Sequence, residues 1–292
     1  MPDALTFNPP IRILTFDIED WYHLLEYSST QRPDQWSKFT PRIEEQIEKI
    51  VQFLLENNQK ASFFMLGWIA DKFPQVVRTI DQAGFEIGMH SYAHQPVYLQ
   101  SREEFLNDTR KCIDLIENIT TKKVRMYRAP GFSIMGSTTW ALHVIADLGI
   151  EIDCSIFPTG RSHGGFRIFP TNKPCLLNLG MRTLKEFPMN TYSIMGEKVV
   201  FSGGGYFRFF PYLNIRKMSS QADYLISYLH PHDLDVDQPR LKLGPMRYFR
   251  AYYGLKNSSE KLQRWIHDFT FTDISTAEKQ IDWTKVRKID IM

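Results

Sequence analysis

Short apolar runs of strand character alternate along this chain with longer stretches whose apolar residues recur every three or four positions. Residues 11–16, IRILTF, are β-branched and aromatic, as a buried strand requires. Beyond Thr40 and Pro41, Ile43, Ile47, Ile50, Val51, Leu54 and Leu55 share one helical face, with Thr40 expected as N-cap and Pro41 as first helical residue. Residues 61–66 read as a second strand, 74–83 as a helix stopped by Gly84, and 85–89 as a third strand. Ser101 is expected to cap a helix running to about residue 119, with Glu104 completing a capping box. Strand 124–127, helix 137–148 stopped by Gly149, and strand 150–153 continue the alternation. Strand-like segments follow at 199–201 and 222–229, then a helix at 258–268, while residues 157–186, rich in Gly, Pro and Arg, read as a long loop. Repeated β-α units imply an α/β fold with parallel strands and helices outside, as an open doubly wound sheet or a closed barrel.

Composition narrows the class. With 292 residues, 43% hydrophobic and 23% charged, the chain suits one large core, and a single catalytic domain over residues 1–292 is expected. Thirty-five basic against 33 acidic residues leave a net charge of +2 with no basic block, which argues against a nucleic-acid partner. The first 20 residues carry acids and prolines where a secretory signal needs a basic start and an apolar run, so a cytoplasmic location is expected. No stretch approaches the roughly 20 apolar residues of a transmembrane span. The protein is expected to be soluble or at most peripheral to a membrane. Cys112, Cys154 and Cys175, odd in number and without C-x-x-C spacing, read as buried thiols.

The chemistry-bearing residues gather where expected strands end, which is where parallel α/β folds place their sites. Asp17, Glu19 and Asp20 follow the first strand, His90 and His94 the third, Arg128 and Asp153 later ones, and His230 and His232 the strand at 222–229. His90 and His94, four apart, can face one metal from a single helical turn. A carboxylate would complete three ligands and leave a position open for water, and a second carboxylate would serve as base. If the first strand stays extended, period-two alternation puts Thr15, Asp17 and Glu19 on one face, making Glu19 the ligand; a turn after Asp17 would bring Asp20 there instead. Trp21, Tyr22 and Trp68 are candidate stacking platforms for a ligand, with packing as the alternative. The triple glycine at 203–205 lacks a nucleotide fingerprint and reads as a tight turn.

Thr15-Phe16-Asp17 with further carboxylates, His90-Ser91-x-x-His94, Arg128-Ala129-Pro130 and Leu229-His230-Pro231 stand in the order and approximate spacing of the polysaccharide deacetylase family, which the chain resembles. That family includes chitin, peptidoglycan and nodulation-oligosaccharide deacetylases. The runs DIEDWY, GGGYFR and DFTFT are similar to a bacterial branch associated with exopolysaccharide or capsule loci. The resemblance implies a distorted (β/α) barrel with fewer than eight complete units, core motifs at 11–235, and a C-terminal extension at 236–292 packed on it. It also implies a divalent cofactor, zinc by ligand type, on His90, His94 and Glu19 or Asp20. Asp17 is then the base, oriented by Arg128, His230 the acid, and the Gly131 main-chain N–H an oxyanion donor. The implied substrate is an N-acetylated saccharide, and the implied setting is peripheral to a membrane polysaccharide-assembly system. The family commonly has two adjacent aspartates where this chain has Asp17-Ile18-Glu19-Asp20, and an aromatic where Gly131 stands. A small-amide or ureide hydrolase on the same scaffold, an inactive carbohydrate-binding protein, and an iron oxygenase triad are the competing readings.

Overall fold

The computed structural model describes residues 6–25, 30, 32–161 and 163–291. The first apolar run forms β1 (Ile11–Ile13) and β2 (Thr15–Ile18), one extended stretch joined at Leu14. Alternation sends Ile11 and Ile13 into one apolar cluster, and Leu14, Phe16 and Ile18 into another on the opposite face. Next come β3 (Ser62–Met65), β4 (Glu86–Met89), β5 (Met126–Tyr127) and β6 (Ile152–Asp153), each parallel to its predecessor. β7 (Cys175–Asn178) runs antiparallel to β8 (Thr183–Glu186), and β8 is parallel to β6. A hairpin, β9 (Tyr192–Ile194) with β10 (Glu197–Val199), precedes β11 (Tyr224–Ile226), which lies parallel to β1; β12 (Arg287–Asp290) extends the far edge beside β7.

Counting β1 and β2 as one, seven parallel positions result, in the order β11, β1–β2, β3, β4, β5, β6, β8. Side chains span the gap between the two ends. The Asn190 side-chain oxygen accepts from Ile226 N–H at 3.1 Å, and the Tyr224 hydroxyl donates to the Pro188 carbonyl at 2.9 Å. The architecture is a distorted barrel with seven β positions. Its interior holds Ile13, Phe64, Met126, Ile152, Cys154 and Ile226, while the larger apolar layer lies between strands and helices. Gly88 on β4 lets these inner side chains close up, since a Cβ there would stand 2.9 Å from Phe64 Cδ1. Helix Ile274–Gln280 contributes Ile274 and Ala277 to the inner cluster, and the Glu86 carboxylate accepts from the N–H groups of Ile274 and Ser275.

The capping box at Ser101 and Glu104 opens helix Arg102–Thr120, and all three cysteines are buried. Other local expectations shift. The helix after Pro41 runs Ile43–Glu56, and Thr40 does not cap it. Asp20, at the end of the first strand, takes that role, its Oδ2 accepting from Arg42 N–H at 2.8 Å and Ile43 N–H at 3.1 Å. A tertiary carboxylate has replaced the local cap. The expected loop at 157–186 contains β7 and β8, the fourth expected helix shortens to Trp140–Asp147, and the expected strand at 199–201 only begins at the end of β10.

Removing a side-chain cap costs about 1–2 kcal/mol. Asp20→Ala should therefore lower the unfolding free energy from denaturant titration by that much, with Asp20→Asn recovering part of it; an unchanged unfolding free energy in Asp20→Ala would show that the helix does not need this cap.

Candidate metal centre and active site

Asp17 and Arg128 meet inside the barrel. Arg128 is fully buried; its Nη1 donates to Asp17 Oδ1 at 2.6 Å and Thr15 Oγ1 at 2.7 Å, its Nε donates to the Cys154 carbonyl at 3.3 Å, and its Cζ lies 4.1 Å over the Phe64 ring. Asp17 is thus held by one oxygen, leaving Oδ2 toward the cavity.

Glu19 turns to the same centre. Its Oε1 lies 3.0 Å from His90 Nε2 and 2.9 Å from His94 Nε2. Asp20 points away to its helix cap. Burial pushes the Glu19 pKa up, but His94, His230 and His90 outweigh it and hold the carboxyl well below its usual range. The histidines do not share a helical turn, as their spacing suggested. They lie on a loop in which Ser91 and His94 adopt left-handed backbone conformations, φ 61° and 52°. Asp108, from helix Arg102–Thr120, fastens that loop by accepting from Tyr92 N–H at 2.7 Å and Ala93 N–H at 2.9 Å.

The donor set fits a divalent cation. His90 Nδ1 is 2.7 Å from the Arg128 carbonyl, which only accepts, so Nδ1 carries a proton and Nε2 is the ring nitrogen that faces Glu19 and would be offered to a cation. His94 Nε2 is buried and, though near Glu19, lies off the line of a hydrogen bond. The ligand atoms of Glu19, His90 and His94 all fall within 4.8 Å of one another, an arrangement of two imidazoles and one carboxylate suited to a cation that keeps an open position.

His230 stands opposite. Its Nε2 lies 3.9 Å from both Asp17 Oδ2 and Glu19 Oε1, while its Nδ1 bonds Asp233 Oδ2 at 2.8 Å. Asp233 in turn pairs with Arg208 Nε at 2.8 Å. Burial alone would lower the His230 pKa; Glu19, Asp233 and Asp17 overcome this and raise it to about 9. A cation on Glu19 would take back part of that rise. For His232 burial dominates and lowers the pKa to about 4, so this ring is neutral near pH 7. His23, which the sequence reading passed over, also lines the cavity, its Nδ1 accepting from Asp20 N–H at 2.9 Å.

The Arg128-Ala129-Pro130 segment is tied from behind. Ser155 Oγ accepts from Ala129 N–H at 2.8 Å and donates to Asp153 Oδ1 at 2.5 Å. Asp153 sits beside Glu186 on the next strand, both fully buried. Burial raises both carboxyls, and Glu186, next to the Asp153 charge, goes well above its ordinary value. Glu186 therefore keeps its proton and donates it to Asp153. Gly131 follows with φ 61°, a conformation glycine adopts freely, and faces the cavity.

Asp17, Glu19, His90, His94, Gly131 and His230 line a cavity of about 710 Å³. Trp21 and Tyr22 do not, which corrects their reading as stacking platforms. Tyr22 stacks on Phe39 at 5.2 Å and Trp21 meets both rings edge-on, with the Trp21 indole N–H donating to the Thr40 carbonyl. The Trp21 and Tyr22 side chains turn into the helix layer, where aromatic area is buried against aromatic area. No helix among the described residues is long and apolar enough to cross a membrane.

Residues 9–152 match the family described as polysaccharide deacetylase, and residues 154–279 a domain of unknown function, DUF3473. A Bacillus cereus peptidoglycan-N-acetylglucosamine deacetylase is 31% identical over 105 residues, 36% of each chain, so the chain spans about a third of the length of that relative. A solved Mycobacterium smegmatis protein assigned to the polysaccharide deacetylases superposes with a TM-score of 0.64 at 18% identity, covering 98% of this chain and 93% of its own. A CE4 family pseudoenzyme from Bacillus anthracis gives 0.50 at 14% identity, covering 96% and 69%. At these identities the two structures speak for the fold.

The Asp153–Glu186 pair makes stability depend on pH. Unfolded, Glu186 ionises near its ordinary pKa of about 4.3; folded, it keeps its proton to a higher pH. Above about pH 4.3 the unfolded state then binds fewer protons, so stability falls as pH rises toward the folded pKa, by up to about 1.4 kcal/mol per unit. Glu186→Gln keeps a donor to Asp153 and removes the titration, so its unfolding free energy should decline less between about pH 5 and 8 than that of the unsubstituted protein. Equal slopes would show that Glu186 is ionised in the fold.

Proposed function

The chain belongs to the polysaccharide deacetylase family, and on that premise we propose that it hydrolyses the N-acetyl amide of an amino sugar in a poly- or oligosaccharide, releasing acetate and a free amine. The observation that carries this reading is that Asp17 Oδ2 and His230 Nε2 face each other 3.9 Å apart beside the Glu19, His90 and His94 cluster, each braced from behind by an opposite charge.

Glu19, His90 and His94 would hold a divalent ion, zinc by ligand type, which would polarise the amide carbonyl and make water acidic enough to deprotonate near pH 7. Asp17 accepts the proton from the attacking water through Oδ2, while the Arg128 bond to Oδ1 fixes the carboxylate's direction. The Gly131 main-chain N–H, from a residue that lines the cavity, is the oxyanion donor. His230 gives its Nε2 proton to the amide nitrogen as the C–N bond breaks, and Asp233 on Nδ1 keeps the ring oriented and steadies its positive charge. The enclosing wall, with Phe132 and Tyr228 beside these groups, limits water and strengthens each of these interactions.

A chelator should abolish acetate release from N-acetylated chito- or peptidoglycan oligosaccharides, and zinc or cobalt should restore it. Full activity in metal-free protein would move the assignment to metal-independent hydrolysis of small amides. Asp17→Asn preserves size but removes the base, so kcat should fall by about 10²–10⁴-fold with bound metal unchanged. Loss of metal in Asp17→Asn, with rate recovered at saturating zinc, would instead make Asp17 a ligand.

A further inference from the structure

The proposed chemistry leaves one wall of the cavity unused. Arg161, Arg167, Arg208, Arg247 and Arg250 all line it. Arg208 is engaged, pairing with Asp233 and donating to the carbonyls of Arg250, Ala251 and Tyr253. Arg161, Arg167 and Arg250 form no ion pair with any described residue, although they stand in the same cavity as Asp17, Glu19 and Asp233. Those three carboxylates are matched already: Asp17 by Arg128, Asp233 by Arg208 and His230, and Glu19 by the ligand histidines.

Arg161 is the most demanding of the three. It is half-buried, with its Cζ 5.1 Å from the Phe132 ring centre and 5.3 Å from those of Phe157 and Tyr228. Its Nη1 is sealed from solvent and has no acceptor. A guanidinium cannot shed its charge, and a dry N–H without an acceptor calls for an oxygen from outside the chain. The rings around it lower the local dielectric, so an anion placed there is held more firmly than in water. The position is close to the proposed chemistry: the Tyr228 ring that touches Arg161 is 6.0 Å from the His230 ring. Arg161 pairs with Gly164 in an isolated antiparallel bridge, and the Phe132 carbonyl accepts from Gly165 N–H.

We infer that Arg161, with Arg167 and Arg250 at the rim, forms an oxyanion-binding subsite, and that the saccharide this cavity takes carries a carboxylate or a phosphoryl group on or next to the N-acetylated sugar. The planar fork of arginine suits either anion. The inference deepens the proposed function: the saccharide comes from that reading, the anion from the arginines alone.

Binding is measured without turnover, by titration calorimetry at low salt on the metal-loaded and metal-free protein. Three probes are compared: N-acetylglucosamine, N-acetylglucosamine 1-phosphate, and a disaccharide of glucuronate and N-acetylglucosamine. One charged probe or both should bind at least about tenfold tighter than the neutral sugar, and the stronger of the two names the source of the anion. The preference should persist without metal, where phosphate has no ion to ligate, and weaken with added salt. Arg161→Gln should bring the charged probes to the neutral level. Arg250→Gln, on the exposed helix Pro245–Tyr252, should cost about two- to threefold at low salt and serves as the test if Arg161→Gln does not fold. Equal affinity for charged and neutral probes, or a preference untouched by Arg161→Gln in a folded protein and by Arg250→Gln, overturns the subsite. Acetate release without anion preference would sink this inference alone, and anion preference without acetate release would sink only the proposed reaction.

Discussion

An arginine with no exposed surface, paired to an aspartate inside a barrel, is the constraint around which this molecule is arranged. Taking two charges out of water costs more than their attraction returns unless every remaining polar atom is placed, and removing one partner typically costs about 3–5 kcal/mol. The sequence meets most of that demand from several strands, with Arg128 Nη2 the buried atom left without an acceptor among the described residues. Thr15 supplies a hydroxyl, Cys154 a carbonyl and Phe64 an aromatic face, while the Arg128 carbonyl itself receives His90 Nδ1. One residue therefore fixes the candidate base with its side chain and the tautomer of a candidate ligand with its backbone. That coupling explains why an ionic pair stands here and not a hydrophobic one of equal volume, which would fill the barrel but orient nothing.

A second layer of charge makes the first durable. His230 is held by Asp233, Asp233 by Arg208, and Arg208 by three carbonyls of the segment around helix Pro245–Tyr252. On the other side Ala129 is held by Ser155, Ser155 by Asp153, and Asp153 by the proton of Glu186. Each chain of contacts ends in backbone or in a neutral acid, so the cavity is ringed by groups whose directions are set before any substrate arrives. Such preorganisation is what allows fixed dipoles to outperform water around a developing charge.

Much of this was legible in the chain, and the limits have a physical pattern. Alternation in residues 11–18 puts Thr15 and Asp17 on the inward face, because strand period is a local property that tertiary structure rarely overrides; Glu19, one residue past the end of β2, turns to the same centre while Asp20 turns to its helix cap. The order of the histidine pair, Arg128 and His230 was legible for the same reason, each lying just past a strand. What escaped depends on partners distant in sequence. Asp108 fastens the histidine loop from a helix face where an acid looks solvent-exposed, and the proton shared by Asp153 and Glu186 exists only because two strands meet in register. Asp233 left a trace as the third residue after His230, a spacing that reads equally as an ordinary helix cap. Trp21 and Tyr22 were misplaced because strand ends point to the rim only while the strand lasts; after Glu19 the chain turns, and aromatic packing on Phe39 and Trp68 decides their direction.

The site also divides along the chain in a way that bears on how the fold is read. The segment matching the deacetylase family, 9–152, contributes Asp17, Glu19, His90, His94, Arg128 and Gly131. Arg128 pairs with Asp17 from within that segment, but the other groups that brace these residues, from Asp153 and Ser155 through Arg161 and Glu186 to Arg208, His230 and Asp233, fall after residue 152. The strands follow the same division, since β11 closes against β1 and β8 against β6. Without the later segment, the inward faces of β1 and β6 would lose their neighbours and Asp17 would meet solvent in place of His230. The two matched segments are thus halves of one barrel and of one cavity: the first carries the candidate cation ligands and the candidate base, and the second the candidate acid and the arginines that line the cavity.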